Sequence, residues 1–328
     1  MSDDVAAHLE RAVVAIGAAP SLSLACHVTP DGDALGSLLG LHHLALSNGV
    51  KSLASWPMPV AVGHHYRSIP GLDRAVPSSE FPREPACMVT FDCGDLLRLN
   101  ELGVSAQWAA ANGELIVLDH HASNDRFGTI NVVDTSAAAT AVVVRRLAAA
   151  LGWPLTREAA WCLYVGLVTD TGRFQYACTT PTVFALAEEL SSFDLPVARI
   201  NRELFEEHRF AYLQLAARAL ARAELDTERR FVATWVTKDE LAAAGVRYEE
   251  VEGLIDIVRS TSEAEVACVC KEADDGVRVS LRAQSEIDVG SIATRLGGGG
   301  HRLAAGFTMQ GSIGDVIDAV RRALPVVP

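Results

Sequence analysis

The chain has 328 residues, 49% of them hydrophobic, and a formal net charge of −13. That length allows two domains of ordinary size, each with its own core. The acidic balance excludes a broad basic surface for long nucleic acid, though not a short nucleotide held by a few arginines, and no apolar run reaches the ~18 residues of a membrane span.

Residues 4–18 place Val5, Leu9, Ala12, Val13 and Ile16 at helical spacing, and Pro20 ends that helix. Ser21 to Cys26 reads as a strand. His27-Val-Thr-Pro-Asp31-Gly-Asp33 then feeds a helix running to about Ser47, closed by Gly49. Asp31 and Asp33 are two apart, so an extended loop points both to one side. Asp33 alone would read as an N-cap, but capping does not call for His27 and Asp31 as well. Lys51 to Ser55 is a second strand and Trp56 to Val60 a loop. His64 and His65 have no carboxylate nearby in sequence and read as surface or loop histidines. Ile69-Pro-Gly71 is a turn, and the Pro/Ser-rich stretch from Pro77 to Pro85 leads to the next strand.

Met88 to Phe91 should be buried on both faces, as in a parallel sheet, with Asp92 emerging at the tip and Asp95 capping a helix from Leu96 onward. Leu115 to Leu118 is another buried run, and it drives into Asp119-His120-His121. After a short strand, Thr129 to Val133, Asp134-Thr-Ser136 is expected to cap an apolar helix to Leu151. A further helix, Thr156 to Val168, ends in Thr169-Asp170-Thr-Gly172. A carboxylate at a helix C-terminus is disfavoured, so Asp170 should have a compensating cation.

Residues 181–222 look helical, with breaks at Pro181, Pro196 and near His208; Glu188, Glu189, Glu203, Glu206 and Glu207 read as solvated. From Asp226 the character changes. Phe231 to Thr237 alternates like a strand, Glu265–Lys271 and Gly276–Arg282 make a hairpin, and Val289 to Arg295 is a short helix. Gly297 to Gly300 come next, then His301 and Arg302, and residues 313–324 form a last amphipathic helix. The fold class is therefore α/β: a parallel-sheet N-terminal domain with flanking helices, a helical linker and a smaller mixed α/β C-terminal domain. The boundaries are 1–190, 191–225 and 226–328. The seven cysteines fall mostly in apolar strands or helices (Cys26, Cys87, Cys93, Cys162, Cys178), and Cys268-x-Cys270 fits alternation along one strand. With the acidic, unsignal-like Met1-Ser-Asp-Asp4, they suggest a reduced, cytoplasmic protein.

Three strand ends and one helix end thus deliver His27, Asp31, Asp33, Asp92, Asp119, His120, His121 and Asp170. Imidazole and carboxylate without thiolate suit manganese, iron or zinc. The set is too large for one ion. Two ions about 3.5–4 Å apart, bridged by a carboxylate, lower the pKa of a water and hold both oxygens of an in-line displacement, which is the chemistry of phosphoester hydrolysis.

These motifs, HVTPDGDALGS, FDCGD, LDHH and LVTDTGRF in that order, resemble the DHH-family phosphoesterases, and GGGGHRLAAGF resembles the signature of the DHH-associated domain. The likeness spans nearly the whole chain and is greatest for the nanoRNase type, which cuts very short oligoribonucleotides and dephosphorylates 3′-phosphoadenosine 5′-phosphate (pAp); some relatives hydrolyse cyclic di-AMP or pApA. The resemblance implies two divalent ions, most readily Mn2+, with the active site in the interdomain cleft. His27, Asp31 and Asp92 would hold one ion and Asp33, Asp92, His120 and Asp170 the other. Asp119 would orient His120 through its other ring nitrogen, and His121 would face the scissile phosphate. A homodimer is expected by the same likeness.

The glycine run offers backbone N–H groups without side-chain obstruction, a phosphate-binding device. Gly298, Gly299, Gly300, His301 and Arg302, with Ser280, Arg282 and Arg295, are the candidate anchors for a terminal phosphate. Relatives often carry Ser-Leu-Arg-Ser where this chain has Ser280-Leu-Arg-Ala283, so one hydroxyl contact is missing. A cleft of fixed span favours substrates of two to five nucleotides and excludes long duplexes. A pyrophosphatase or polyphosphatase shares the metal motifs but has a different C-terminal domain, richer in lysine and arginine near the site. A long-strand exonuclease of the RecJ kind needs extra nucleic-acid-binding domains. A catalytically dead nucleotide-binding regulator would show damaged ligands, and none is missing here.

Overall fold

A computed structural model describes residues 2–58 and 62–325, with the backbone alone at His301. The expected loop from Trp56 to Val60 is therefore described only to Met58; Val60 lies outside the described residues. Two units divide the chain, Met1–Glu206 and Glu207–Pro328.

The first unit runs α1 (Asp3–Ala18), β1 (Ser21–Cys26), α2 (Gly32–Ser47), β2 (Lys51–Ser55), β3 (Cys87–Phe91), α3 (Gly103–Asn112), β4 (Glu114–Asp119), β5 (Ile130–Val133), α4 (Thr140–Ala150), α5 (Arg157–Asp170), α6 (Pro181–Ser191) and α7 (Val197–Phe205). Its strands form one parallel sheet in the order β2-β1-β3-β4-β5. β1, β3 and β4 are buried along nearly their whole length; β3 and β4 accordingly read as apolar runs, whereas β1 alternates as Ser21-Leu22-Ser23-Leu24 with Ser23 buried. The strand order reverses between β1 and β3. Open sheets bind ligands at the carboxyl ends of the strands flanking such a reversal. His27 follows β1 and Asp92 follows β3, so the topology places both at that crevice.

Backbone contact between α2 and α5 closes the same end of the sheet. A Cβ on Gly36 would lie 2.4 Å from the Cys162 carbonyl oxygen, and one on Gly166 would lie 2.6 Å from Asp33 Oδ1. Interaxial distance follows the size of the side chains at the contact, so Gly36 and Gly166 let the helices meet main chain to main chain. The start of α2, with Asp33, thereby reaches the end of α5, with Asp170.

The second unit runs α8 (Phe210–Ala221), β6 (Glu224–Asp226), β7 (Phe231–Val236), α9 (Lys238–Ala244), α10 (Leu254–Val258), β8 (Val266–Ala273), β9 (Gly276–Ala283), α11 (Val289–Arg295), β10 (Gly299–His301), β11 (Ala304–Met309) and α12 (Ile313–Ala323). The sheet order is β10-β11-β9-β8-β7-β6, with β7 and β8 parallel and the other pairs antiparallel. One face packs on α11 and α12 through Cys268, Cys270, Leu281 and Phe307. On the other, α8, α9 and α10 cover β7 and β8 through Val232, Ala267 and Val269. The register continues that second face across β9 and β11 with Ser280, Arg282, Ala304 and Gly306.

Several local expectations are corrected. Asp134 does not cap α4: its Oδ1 closes a turn with Ser136 and its Oδ2 pairs with Arg146, and the helix begins only at Thr140. Asp31, not Asp33, caps α2, accepting from the amides of Asp33 and Ala34. Glu203 is buried rather than solvated, because Arg199 at 2.8 Å and Arg67 at 3.8 Å offset its charge. Cys178 is exposed in a turn, not set in a strand or helix. α7 belongs to the first unit and α8 to the second.

Candidate metal centre

Each arm of the site is held by its own element. Asp33 sits in the first turn of α2, fully buried. Its Oδ1 accepts from Ser37 Oγ and from the Ala141 amide, both at 3.0 Å, and its Oδ2 accepts from the Thr140 amide at 2.5 Å. Asp92 follows β3 with φ +54°, a conformation unfavourable for a residue with a Cβ. Its amide bonds to the Leu118 carbonyl at 3.0 Å and its Oδ1 accepts from Thr140 Oγ1 at 2.9 Å.

The side chains converge. His120 Nε2 lies 3.1 Å from Asp170 Oδ2, 3.5 Å from Asp92 Oδ1 and 4.0 Å from Asp33 Oδ2. On the other side of Asp92, Oδ2 is 3.8 Å from His27 Nε2. Ligand-capable atoms gather within 4.8 Å in the sets His27–Asp31–Asp92, Asp33–His120–Asp170 and Asp92–Asp119–His120–His121. Asp92 thus turns one oxygen toward each of the first two sets.

The donor chemistry fits a pair of divalent cations. His27 Nδ1 meets the Val28 carbonyl at 2.8 Å and His120 Nδ1 meets the Ala137 carbonyl at 3.2 Å, so each Nδ1–H donates to a backbone oxygen and Nε2 is left for a cation. The carboxylates, left alone, repel. Burial, then the charges of Asp170 and Asp92, push the Asp33 carboxyl well above its ordinary range. Burial also lifts Asp170, to about 6, against the opposing hydrogen bond and charge of His120. For Asp92 burial acts upward too, but the His27 hydrogen bond and the charges of His121, His120 and His27 outweigh it and lower the carboxyl. Burial disfavours the His120 imidazolium, yet Asp170, Asp92 and Asp33 outweigh it and raise the group well above its usual value. The centre therefore holds protons where bound cations would replace them.

The role expected for Asp119 is corrected. Its Oδ1 accepts from His121 Nδ1 at 2.7 Å and from the His120 and His121 amides, while Asn124 donates to Oδ2. It orients His121; the Ala137 carbonyl orients His120. Thr140, Ser37, Asn124 and Ala137 were not singled out from the sequence. Ser37 was legible, four residues from Asp33 on the same helix face. Thr140 was not, being remote in sequence from both carboxylates it touches.

In the second unit the register aligns Ser280, Gly306 and Gly299 in one row and Arg282, Ala304 and His301 in the next. The His301 side chain lies outside what the structure describes. The glycine cradle is corrected in part. The amides of Gly297 and Gly298 already donate to the Thr294 and Ala293 carbonyls that end α11. Gly298 instead serves close packing, since a Cβ there would lie 2.2 Å from the Gly306 carbonyl oxygen. Gly299 and Gly300 lie on β10. Arg302 donates to the Glu286 carbonyl at 3.0 Å. Arg295 is not brought to this face: it stands on α11, which covers the opposite side, and it reaches the Ala323 carbonyl at 3.4 Å.

Family models match both parts of the chain: the DHH family N-terminal domain over residues 22–167 and the DHHA1 domain over residues 230–325. A bifunctional oligoribonuclease and PAP phosphatase NrnA of Thermus thermophilus is 33% identical over 311 residues, covering 93% of this chain and 88% of that protein. This chain belongs to the DHH family, in its NrnA type. The NrnA of Bacillus subtilis is 27% identical, with 86% of this chain and 87% of that one covered. An exopolyphosphatase-related protein from Bacteroides fragilis shares the fold, with a TM-score of 0.89 at 25% identity, covering 97% of this chain and 95% of that one. As a DHH protein with these clustered carboxylates and imidazoles, the chain is a metal-dependent phosphoesterase. No described helix is long and apolar enough to cross a membrane.

Proposed function

We propose that this phosphoesterase hydrolyses oligoribonucleotides of about two to five nucleotides, pApA included, to mononucleotides, and dephosphorylates pAp to AMP. The observation that carries the reading is Asp92, whose two oxygens face two separate ligand sets, His27–Asp31 and Asp33–His120–Asp170. Those residues would hold two divalent ions with Asp92 between them. When bound, such a pair supplies Lewis acidity and a water of lowered pKa.

The chain's own groups do the rest. Asp119 accepts a hydrogen bond from His121 Nδ1 and leaves Nε2 as the nitrogen to meet a phosphoryl oxygen. Burial acts against the His121 imidazolium, but the Asp119 hydrogen bond and the Asp92 charge outweigh it and raise the group, which favours a donor there. On the second unit, Ser280 and Arg282 on β9, with Gly299, Gly300, His301 and Arg302 from the neighbouring hairpin, suit a phosphate distant from the reacting one. A guanidinium recognises phosphate through fixed parallel donors. The net charge of −13 supports short substrates over long strands. The names of the NrnA relatives support the same substrate class.

The test is a Mn2+-dependent assay on pAp, pApA, a trinucleotide, cyclic di-AMP, pyrophosphate and a 24-mer. Turnover of pAp and the short oligomers above pyrophosphate and the 24-mer is expected, and the cyclic di-AMP arm reads whether that substrate is taken as well. Preference for pyrophosphate would favour the alternative of an inorganic pyrophosphatase or polyphosphatase, and binding without turnover a regulator. The family resemblance supports Mn2+ and a homodimer; metal analysis and light scattering check each.

A further inference from the structure

Thr140 opens α4 and is completely buried. It donates from two atoms to two carboxylates that arrive on different elements. Its amide bonds Asp33 Oδ2, and its hydroxyl bonds Asp92 Oδ1 at 2.9 Å. The Asp33 contact comes from the main chain, so any residue at 140 except proline could make it. The Asp92 contact needs the hydroxyl. It falls on the oxygen facing His120, 3.5 Å away, and not on the one facing His27.

The backbone at Asp92 makes that contact consequential. A non-glycine residue at φ +54° persists only where its surroundings over-determine it. The Asp92 amide is fixed by the Leu118 carbonyl, and the Thr140 hydroxyl is a neutral donor to the carboxylate, indifferent to the charge state of the histidines. His120 faces the same oxygen, but a ring nitrogen that coordinates a cation no longer carries a proton to donate, and His121 Nδ1 is directed to Asp119.

We propose that Thr140 is a positioning residue: its hydroxyl fixes the Asp92 carboxylate so that Oδ1 completes the Asp33–His120–Asp170 cation pocket before any cation arrives. The proposal rests on the two-cation reading above. It assigns the hydroxyl to one pocket only, leaving the His27–Asp31 pocket on the other oxygen untouched.

The test is Mn2+ titration of the full chain by calorimetry and by electron paramagnetic resonance, for wild type, Thr140→Ala and Thr140→Ser. Alanine keeps the amide and the helix start but removes the hydroxyl. The expected result is two bound ions in wild type. Thr140→Ala should bind one ion as in wild type and the other roughly 10–100-fold more weakly, and Thr140→Ser should recover most of the loss. Circular dichroism in chelator checks the fold, and if the alanine variant is not folded, the equal-volume Thr140→Val replaces it. Wild-type affinities in the hydroxyl-free variant, equal weakening of both ions, or failure of serine to rescue would each overturn the proposal while leaving the two-cation reading intact. A single ion in wild type overturns both.

Discussion

The Asp119 carboxylate holds the imidazole of His121, 2.7 Å from Nδ1, and leaves His120 to a backbone carbonyl. Asp119 thereby sets the charge of a ring beside Asp92, where cations would be held. In Asp119→Asn an oxygen remains but the charge is gone, so the raised His121 group falls back toward its ordinary value. Turnover of pAp should drop about 10–100-fold. An activity needing the imidazolium is lost as pH rises through that group, so the alkaline limb of the pH–rate profile should move to lower pH. An alkaline limb that stays in place would remove His121 from the proposed role.

Asp170 is strained electrostatically without metal. Burial lifts its folded-state carboxyl to about 6 from an ordinary 3.8. The folded chain then binds a proton that the unfolded chain has released, so stability falls as pH rises from 3.8 through about 6. Asp170→Asn should therefore stabilise the metal-free protein at pH 7.5 by about 1–3 kcal/mol. The same variant should lose the stabilisation that Mn2+ gives wild type by binding the folded state. Urea unfolding in chelator and in Mn2+ reads both, and a destabilised metal-free variant would contradict the account.

Gly36 is where α2 meets α5. A methyl group there would sit 2.4 Å from the Cys162 carbonyl oxygen, and backbone cannot swing aside as a side chain can. Gly36→Ala should cost roughly 1–3 kcal/mol and weaken Mn2+ binding, because Asp33 and Asp170 ride on the separated helices. Gly17, whose Cβ would meet nothing within 4 Å, is the control. Thermal melts and metal titration of the two alanine variants compare them.

Arg282 and Arg295 should behave differently. Arg282 shares its sheet face with Ser280, whereas Arg295 is directed to the end of α12 on the helix-covered side. Arg282→Ala should raise the KM for pAp about tenfold or more, the loss of a charge-assisted contact, with a smaller change in kcat. Arg295→Ala should leave both constants within about twofold of wild type, the usual range for an exposed surface change. Steady-state kinetics on pAp distinguishes them.

His42 provides a pH test remote from the metal ligands. Burial, then the charges of His43 and Arg74, lower its imidazole from 6.5 to about 4, and its Nδ1 lies 2.9 Å from Ser52 Oγ. The unfolded chain takes up a proton that the folded one refuses, so this contribution to stability is full above pH 6.5 and is lost as pH falls toward 4. The whole effect is roughly 3 kcal/mol. His42→Gln should flatten the decline of stability between pH 7 and pH 5, measured by urea unfolding.

The parallel sheet was legible because its strands are short, apolar toward their carboxyl ends, and end in chemistry: Cys26 before His27, Phe91 before Asp92, Leu118 before Asp119. The ligand types could be read for the same reason. What binds those ligands to the frame could not. Thr140 lies far along the chain from Asp33 and Asp92, and only the fold makes them neighbours. Asp119 was paired with the wrong histidine because adjacency leaves the choice of ring to backbone geometry. Glu203 read as solvated because an Arg199 four residues away on one helix is compatible with an exposed pair, while the second partner, Arg67, is remote in sequence. The glycine run reads as an open loop from composition alone, whereas the end of α11 takes the Gly297 and Gly298 amides and Gly299 and Gly300 pair with β11.

The glycine contact between α2 and α5 fixes how the two helices carry Asp33 and Asp170 to the candidate centre. A gap held by touching main chains does not breathe with side-chain rotation, so its width is a property of the scaffold. A large, loosely coordinated ion such as calcium asks for six to eight oxygens at longer range, more room than such a frame would readily yield. Gly36 and Gly166 should therefore favour the smaller divalent ions, a preference that competition between Mn2+ and Ca2+ in metal titration checks.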